Sequence, residues 1–327
     1  MKNTIRWGIL STGSIAHTFA RGLSAAPGAE LVAVGSRTQE AANAFGEEFN
    51  VPHRHGSYEA LANDPDVDVI YVATPHNLHK ENTILCLESG KAVLCEKPFA
   101  INATEARAMV ETARRKKLFL MEAMWSRFIP AIVRVRELVK EGAIGEPRMV
   151  VSDFGFRAGW NEEGRLLNPK FGGGGLLDVG VYTVSFASMI FGTPNAIASM
   201  AHIGRTGVDE QAAMIYGYPE GRLAVLYTAV RTNTPQQAFV LGTDGRIQVH
   251  APWWKPCRLT LTVYGKEEQT LDIPFAGNGY NYEAEETMRC MQNGKLESDV
   301  MPLDETIAIM ETMDKTRAQW GLRYPME

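Results

Sequence analysis

Short apolar runs alternate with helical stretches through the first third of the chain, and this pattern restricts the fold more than any other feature. Ile5-Arg6-Trp7-Gly8-Ile9-Leu10 reads as a strand, followed by the turn Ser11-Thr12-Gly13-Ser14 and a helix from Ile15 to about Ala26. Leu31–Val34 is the next strand and Thr38–Phe49 the next helix. A third strand, Val67–Val72, ends at Ala73-Thr74-Pro75-His76-Asn77, and a helix runs on to Ser89-Gly90. Ala92–Cys95, a helix over Asn102–Lys117 and Leu118–Met121 complete the series. Strands separated by whole helices cannot pair as tight hairpins, so they form βαβ crossovers and a parallel, doubly wound sheet.

The first turn carries an incomplete nucleotide fingerprint. G-x-G-x-x-G would place glycines at 11, 13 and 16, where the chain has Ser11, Gly13 and Ala16. Gly13 lets the backbone approach a pyrophosphate, and Ala16 is small enough for close helix–strand packing. Ser11, Thr12, Gly13, Ser14 and Ile15 are therefore candidate cofactor contacts. The second strand ends in Gly35-Ser36-Arg37-Thr38, with no acid before Glu40. An acid there would serve ribose hydroxyls and repel a 2′-phosphate. Arg37 offers that phosphate a planar fork and Ser36 a hydroxyl, so the expected cofactor is NADP(H). The competing role for Arg37 is to cap or solvate its loop.

Ligands of open α/β sheets bind outside the carboxyl ends of the strands. Two more strand ends then matter. Thr74, Pro75, His76, Asn77 and His79 follow the third strand, and Glu96-Lys97-Pro98 follows the fourth. The i,i+3 spacing of His76 and His79 lacks a cysteine or carboxylate to complete a ligand set, so no metal is expected there. Lining the nicotinamide side of the crevice, or ordinary capping, accounts for them better. For Lys97 the choice lies between a solvated strand end and a functional ammonium, which Pro98 would help to aim.

A chain of 327 residues exceeds one ordinary core, and the pattern changes after Met121–Phe128. Residues 1–123 read as the Rossmann domain and 124–327 as an α+β domain with a large, mainly antiparallel open sheet. Its runs include Arg148–Phe156, Gly221–Thr228, Gln237–Leu241, Ile247–His250, Leu259–Tyr264 and Gln269–Ile273. Helices follow over about Tyr282–Gln292 and Asp304–Gly321. One segment stands out: Gly172-Gly173-Gly174-Gly175 before a helix carrying Asp178 and Tyr182. Each glycine costs backbone entropy on ordering, so the run fits a loop that approaches a ligand or cofactor closely. Asp178 and Tyr182 lie four apart on an otherwise apolar helix, hence on one face. A carboxylate and a phenol there want a substrate or a partner within the core.

A net charge of −5 argues against a nucleic-acid partner. No apolar run approaches the roughly 20 residues that span a bilayer, and the start, Met1-Lys2-Asn3-Thr4-Ile5, shows no signal-peptide core. The four cysteines, Cys86, Cys95, Cys257 and Cys290, show no close spacing. A cytoplasmic protein without disulfides or bound metal is expected.

These motifs together resemble the Gfo/Idh/MocA oxidoreductases, named for glucose–fructose oxidoreductase and inositol dehydrogenase. The carriers are the Gly13 turn, Ala73-Thr74-Pro75-His76-Asn77 with His79, Glu96-Lys97-Pro98 and the Gly172–Tyr182 segment. Val93–Pro98, Phe119–Trp125 and Leu177–Tyr182 look most like the dimeric dihydrodiol dehydrogenase branch, which includes NADP-dependent D-xylose dehydrogenases. The resemblance implies hydride transfer between nicotinamide and a CH–OH or C=O group of a sugar, polyol or cyclic trans-diol. Many relatives place a histidine proton donor four residues after the aspartate, where this chain has Tyr182. A phenol with a free pKa of about 10 is a poor base at neutral pH. A nearby ammonium such as Lys97 would stabilise its phenolate, so the two read as one proton-transfer unit, with Asp178 orienting substrate or cofactor. Trp125 and Trp254 are expected as flat apolar pocket walls, with Phe154 and Arg148 as further substrate contacts. The resemblance also implies a homodimer through the second domain's sheet. Rival readings are a sugar oxidoreductase that retains and recycles its cofactor, an NAD-dependent glycosidase, and a non-catalytic NADP-sensing regulator.

Overall fold

The structure is a computed structural model and describes residues 4–327; Met1-Lys2-Asn3, with which the signal-peptide reading begins, lie outside them. The chain divides into two compact units. The first comprises the residues up to Phe128 together with Ala276–Ile307, and the second Ile129–Phe275 together with Ala308–Glu327.

The first unit contains β1 (Ile5–Leu10), α1 (Ser14–Leu23), β2 (Ala29–Gly35), α2 (Gln39–Glu48), β3 (His53–His55) and α3 (Tyr58–Ala62). It continues with β4 (Val69–Val72), α4 (His79–Glu88), β5 (Ala92–Glu96), α5 (Ala103–Lys116) and β6 (Leu120–Ala123). The six strands are parallel in the order β3-β2-β1-β4-β5-β6. Every residue of β4, β5 and β6 is buried, as expected of a sheet covered on both faces by crossover helices. Thr38, Ser57 and Asn102 cap α2, α3 and α5, each side chain accepting a backbone N–H three residues on. The order of the strands reverses between β1 and β4, which puts the ligand crevice at their carboxyl ends. Neither β3 nor α3 is announced in the sequence, because His53-Arg54-His55 is a short polar edge strand with no apolar run.

The second unit contains α6 (Pro130–Lys140), β7 (Pro147–Gly155), α7 (Val181–Phe191), β8 (Ala196–Ile203), β9 (Asp209–Gly217) and β10 (Leu223–Ala229). After these come β11 (Ala238–Gly242), β12 (Gly245–Val249), β13 (Arg258–Val263) and β14 (Gln269–Asp272). They form one eight-stranded sheet in the order β14-β13-β12-β11-β7-β10-β9-β8. The β7–β10 pair is parallel and the other neighbours are antiparallel. Alternate residues such as Val150, Ala224, Leu226, Met214 and Tyr216 are buried, and α7 packs on β7 and β10. On the opposite face, Met200 and Ile215 are exposed, at 81% and 50%.

The helical stretch 169–191 is long and apolar enough to cross a bilayer by length and composition, contrary to the expectation that no run comes close. Eighty-three per cent of its most apolar window is buried within the protein. A helix that lies inside a core becomes apolar all round, which produces the same composition as a membrane span.

Ala276–Ile307 belongs with the first unit, whereas the sequence reading ends that unit at residue 123. Its helix α8 (Tyr280–Gln292) packs on α1, and Asn278 Nδ2 donates to the Thr18 carbonyl at 2.8 Å. A Cβ at Gly22 would sit 2.7 Å from the Tyr280 Cβ, so the close approach of the two helices requires glycine there. The last helix, α9 (Leu303–Ala318), begins in the first unit and ends in the second. All four cysteines are free; Cys86, Cys95 and Cys290 are buried and Cys257 is exposed.

Candidate active-site residues

At the carboxyl edge of the first sheet, Ser11 occupies the position of the first fingerprint glycine and adopts its backbone conformation, with φ +96°. Its N–H donates to the Gly35 carbonyl at 2.8 Å, tying the ends of β1 and β2 together. Gly13 opens α1 without a side-chain cap, and a Cβ built there would meet only Ser11 Oγ, at 3.9 Å. Open space over a helix N-terminus is what a pyrophosphate needs. Ser14 and Ile15 form the first turn of α1. Thr12 Oγ1 and Ser36 Oγ lie 3.3 Å apart, Ser36 is buried, and Arg37 is exposed beside it. A buried hydroxyl and an exposed arginine thus follow the end of β2 directly.

After β4 the chain turns through Pro75 into a short 3-10 turn, His76–Leu78, before α4. Asn77 Oδ1 is buried with no hydrogen-bond partner among the described residues, an orphan acceptor that suits a carboxamide N–H. His79 differs from its expected place in the cofactor crevice. It is fully buried, with Nδ1 2.8 Å from the Pro98 carbonyl and Nε2 2.9 Å from the Thr74 carbonyl. Burial pushes the imidazole pKa down, working against the doubly protonated ring that two carbonyl acceptors favour. Having no polar atom left over, His79 serves to pin the loop after β4 to the loop after β5.

That second loop is held at successive residues. Glu96 accepts the Tyr71 hydroxyl on Oε1 and the Lys97 N–H on Oε2, the latter at 3.0 Å. The Lys97–Pro98 peptide is cis, and the Pro98 carbonyl meets His79. Phe99 N–H donates to Glu122 Oε1 at 3.2 Å, and Ile101 N–H to Glu105 Oε2 at 3.2 Å. From Ala92 to Ala100 every residue is buried except Lys97, which is half-buried. The fold thus fixes the backbone of Lys97 while leaving the residue partly accessible. Trp125, in the same unit, is buried and stacks on Tyr280 with 4.4 Å between ring centroids and 15° between planes.

In the second unit the glycine run leads into a wide, i→i+5 turn at Leu176–Gly180, and α7 follows. Such π turns are frequent at functional sites. Asp178 is buried and accepts Arg165 Nη1 at 2.5 Å. Arg165 is a site residue that the sequence does not announce, because it lies in an irregular loop without a motif. The Tyr182 ring is buried 5.3 Å from Phe154, which stacks on Trp254 at 3.5 Å and 9°. Asp178, Tyr182, Phe154 and Trp254 therefore belong to one end of this unit. Arg148 does not join them. It sits six residues before Phe154 on β7, about 20 Å away at a strand's rise per residue, and pairs with Glu146 at 2.6 Å.

Two of the four glycines, Gly174 and Gly175, approach the protein's own Asp209, and Gly173 approaches the Leu166, Arg165 and Asn168 carbonyls. A Cβ at Gly174, where φ is +113°, would collide with Asp209 Oδ1, and one at Gly175 would lie 2.6 Å from Thr228 Oγ1. Asp209 is fully buried and accepts Leu176 N–H at 2.7 Å, serving the start of the helical segment from a distant strand. Burial raises its pKa from 3.8 to about 7. Between those values the folded chain holds a proton that the unfolded chain has released, so the group's contribution to stability falls as pH rises. Asp209→Asn keeps the acceptor and cannot ionise. Its stability relative to the parent should improve by about 2–4 kcal/mol between pH 4 and pH 8, read from urea unfolding at each pH. A pH-independent difference would contradict this.

The first unit is thus a dinucleotide-binding fold with a lysine at its carboxyl edge, joined in one chain to an α+β unit bearing a carboxylate, a phenol and stacked aromatics. That combination defines a two-domain nicotinamide-type oxidoreductase. Residues 5–124 match the family described as oxidoreductase family, NAD-binding Rossmann fold (GFO_IDH_MocA), and residues 132–248 match the GFO/IDH/MocA C-terminal domain. The chain belongs to the Gfo/Idh/MocA oxidoreductase family. It is 40% identical to trans-1,2-dihydrobenzene-1,2-diol dehydrogenase of Mus musculus, over 99% of each chain. It is 38% identical to D-xylose 1-dehydrogenase (NADP(+)) of Hypocrea jecorina, over 98% of this chain and 93% of that one. Among solved structures, aldose-aldose oxidoreductase of Caulobacter crescentus superposes with a TM-score of 0.87 at 25% identity, covering 97% of this chain and 98% of that one.

Proposed function

We propose that the protein is an NADP(H)-dependent dehydrogenase acting on a CH–OH group of a sugar, polyol or cyclic trans-diol. The observation that carries this reading is the loop Glu96–Ile101, bonded at almost every residue so that Lys97 alone stays accessible. The names of the two curated relatives, one a diol dehydrogenase and one an NADP+-dependent sugar dehydrogenase, support the substrate class and the cofactor. Ser11, Thr12, Gly13, Ser14 and Ile15 would hold the pyrophosphate, and Ser36 with Arg37 the 2′-phosphate. Thr74, Pro75, His76, Asn77 and Glu96 would shape the nicotinamide end. When bound, the nicotinamide supplies the hydride acceptor or donor.

The protein's own part is proton transfer and orientation. Lys97 and Tyr182 would exchange the substrate hydroxyl proton as one unit, the ammonium favouring the phenolate. Asp178, its charge balanced by Arg165, would accept a neighbouring substrate hydroxyl. Phe154 and Trp254 present stacked faces suited to a sugar or diene; Trp125 is kept as a candidate wall from the first unit. Turnover of NADP+ with aldoses, inositols and dihydrodiols tests the reading; no turnover with any polyol or diol class would leave the regulator reading standing. Arg37→Ala should raise the NADP+ dissociation constant at least about tenfold, a charge-assisted bond's worth, with NAD+ little affected. Equal losses for both would refute the 2′-phosphate assignment.

A homodimer in the cytoplasm completes the proposal. The exposed sheet face, with Met200 and Ile215 next to the paired residues Ala213 and Val225, is an apolar surface of the kind that self-association covers. Ile215→Glu should shift sedimentation toward monomer; an unchanged profile would exclude this face as the interface.

A further inference from the structure

His53 and His55 lie two apart on edge strand β3, so their imidazoles project to the same side of the sheet. Asp64, in the turn after α3, meets both: Oδ2 is 2.7 Å from His53 Nδ1 and 2.8 Å from His55 Nε2. The three candidate ligand atoms fall within 4.8 Å of one another. The carboxylate is 3% exposed, whereas the two rings are 37% and 24% exposed, so the group is anchored from inside and open to solvent.

The surroundings hold the trio in place. Asp66 N–H occupies Asp64 Oδ1 at 2.9 Å, leaving Oδ2 for the histidines. Lys91 Nζ donates to the Asp64 carbonyl at 2.5 Å and the Val67 carbonyl at 2.9 Å, fixing the turn. His53 Nε2, the nitrogen facing away from Asp64, lies 3.9 Å from Asp66 Oδ2. At that distance Asp66 makes no hydrogen bond to the ring, and its charge favours a cation nearby.

We propose that His53, His55 and Asp64 bind a divalent transition-metal ion of the zinc type. Two imidazoles and a carboxylate suit Zn²⁺, and also Ni²⁺ or Cu²⁺, rather than Mg²⁺ or Ca²⁺, which take oxygen ligands. Three protein ligands leave a fourth, solvent-facing position for water. The ion would displace the two hydrogen bonds to Oδ2 and join β3 to the turn after α3. The His55 carbonyl accepts Ser36 N–H at 3.0 Å, so the site adjoins the loop assigned above to the 2′-phosphate.

The test uses the full, untagged chain stripped with chelator and titrated with zinc chloride at pH 7.5. One zinc per chain should bind and raise the thermal midpoint, as any ligand of the native state does. His53→Ala and His55→Ala should each lose the bound zinc and the midpoint rise, while their midpoints in chelator report that folding is intact. Asp64→Asn, which keeps the side-chain shape, should weaken binding at least about tenfold, in line with loss of a charged ligand. Magnesium should produce no shift. Absence of stoichiometric zinc, or zinc bound equally by the parent and the histidine variants, would overturn the proposal and leave a hydrogen-bonded His–Asp–His cluster.

Discussion

Lys97→Met is expected to lower kcat by roughly 10²–10⁴-fold, the range of a lost acid–base group. Methionine matches much of the lysine stem and removes the ammonium. The main-chain bonds that shape the loop, from Lys97 N–H to Glu96 and from Phe99 N–H to Glu122, do not involve the Lys97 side chain and should survive. The NADP+ dissociation constant, measured by quenching of intrinsic fluorescence, should therefore change little, which separates a catalytic loss from a collapsed site. Arginine at this position should not rescue the rate, because a guanidinium does not give up its proton near neutrality. Full turnover by the methionine variant would remove Lys97 from the mechanism.

Tyr182→Phe should bring a loss of similar size, about 10²–10⁴-fold in kcat. The phenylalanine ring keeps the tilted contact with Phe154, so the packing of the ring is retained while the phenol is removed. Loss of the phenol should also remove a limb from the pH–rate profile, because the titrating proton-transfer group is gone. A variant with parental kcat and an unchanged profile would place the proton on another group. Asp178 is distinguishable from Tyr182 in such data: removing an orienting carboxylate should raise KM as well as lower kcat.

Local chemistry made much of this legible in the sequence. The strands of the parallel sheet and the starts of the helices at Thr38 and Asn102 follow from residues close together in the chain. The element at Glu96-Lys97-Pro98 was readable for the same reason. Long-range contacts were not. Nothing local in Ala276–Ile307 says that α8 returns to α1, and Gly22 acquires its meaning only from Tyr280 above it. The four-glycine run reads as a close approach, but the neighbour of Gly174 and Gly175, Asp209, comes from a strand more than 30 residues later. Arg148 and Phe154 look like neighbours in sequence, yet the rise of an extended strand separates them. His79 shows the converse: a polar residue beside a crevice whose hydrogen bonds are all spent on backbone carbonyls.

We propose that Lys97 and Tyr182, one from each unit of the chain, transfer the proton together. The most direct test is the double variant Lys97→Met/Tyr182→Phe, with kcat/KM compared against both single variants. Groups that act as one unit lose their effect together, so the double variant should be about as slow as the slower single one. Losses that multiply would show that the two residues act independently and contradict the proposed pair.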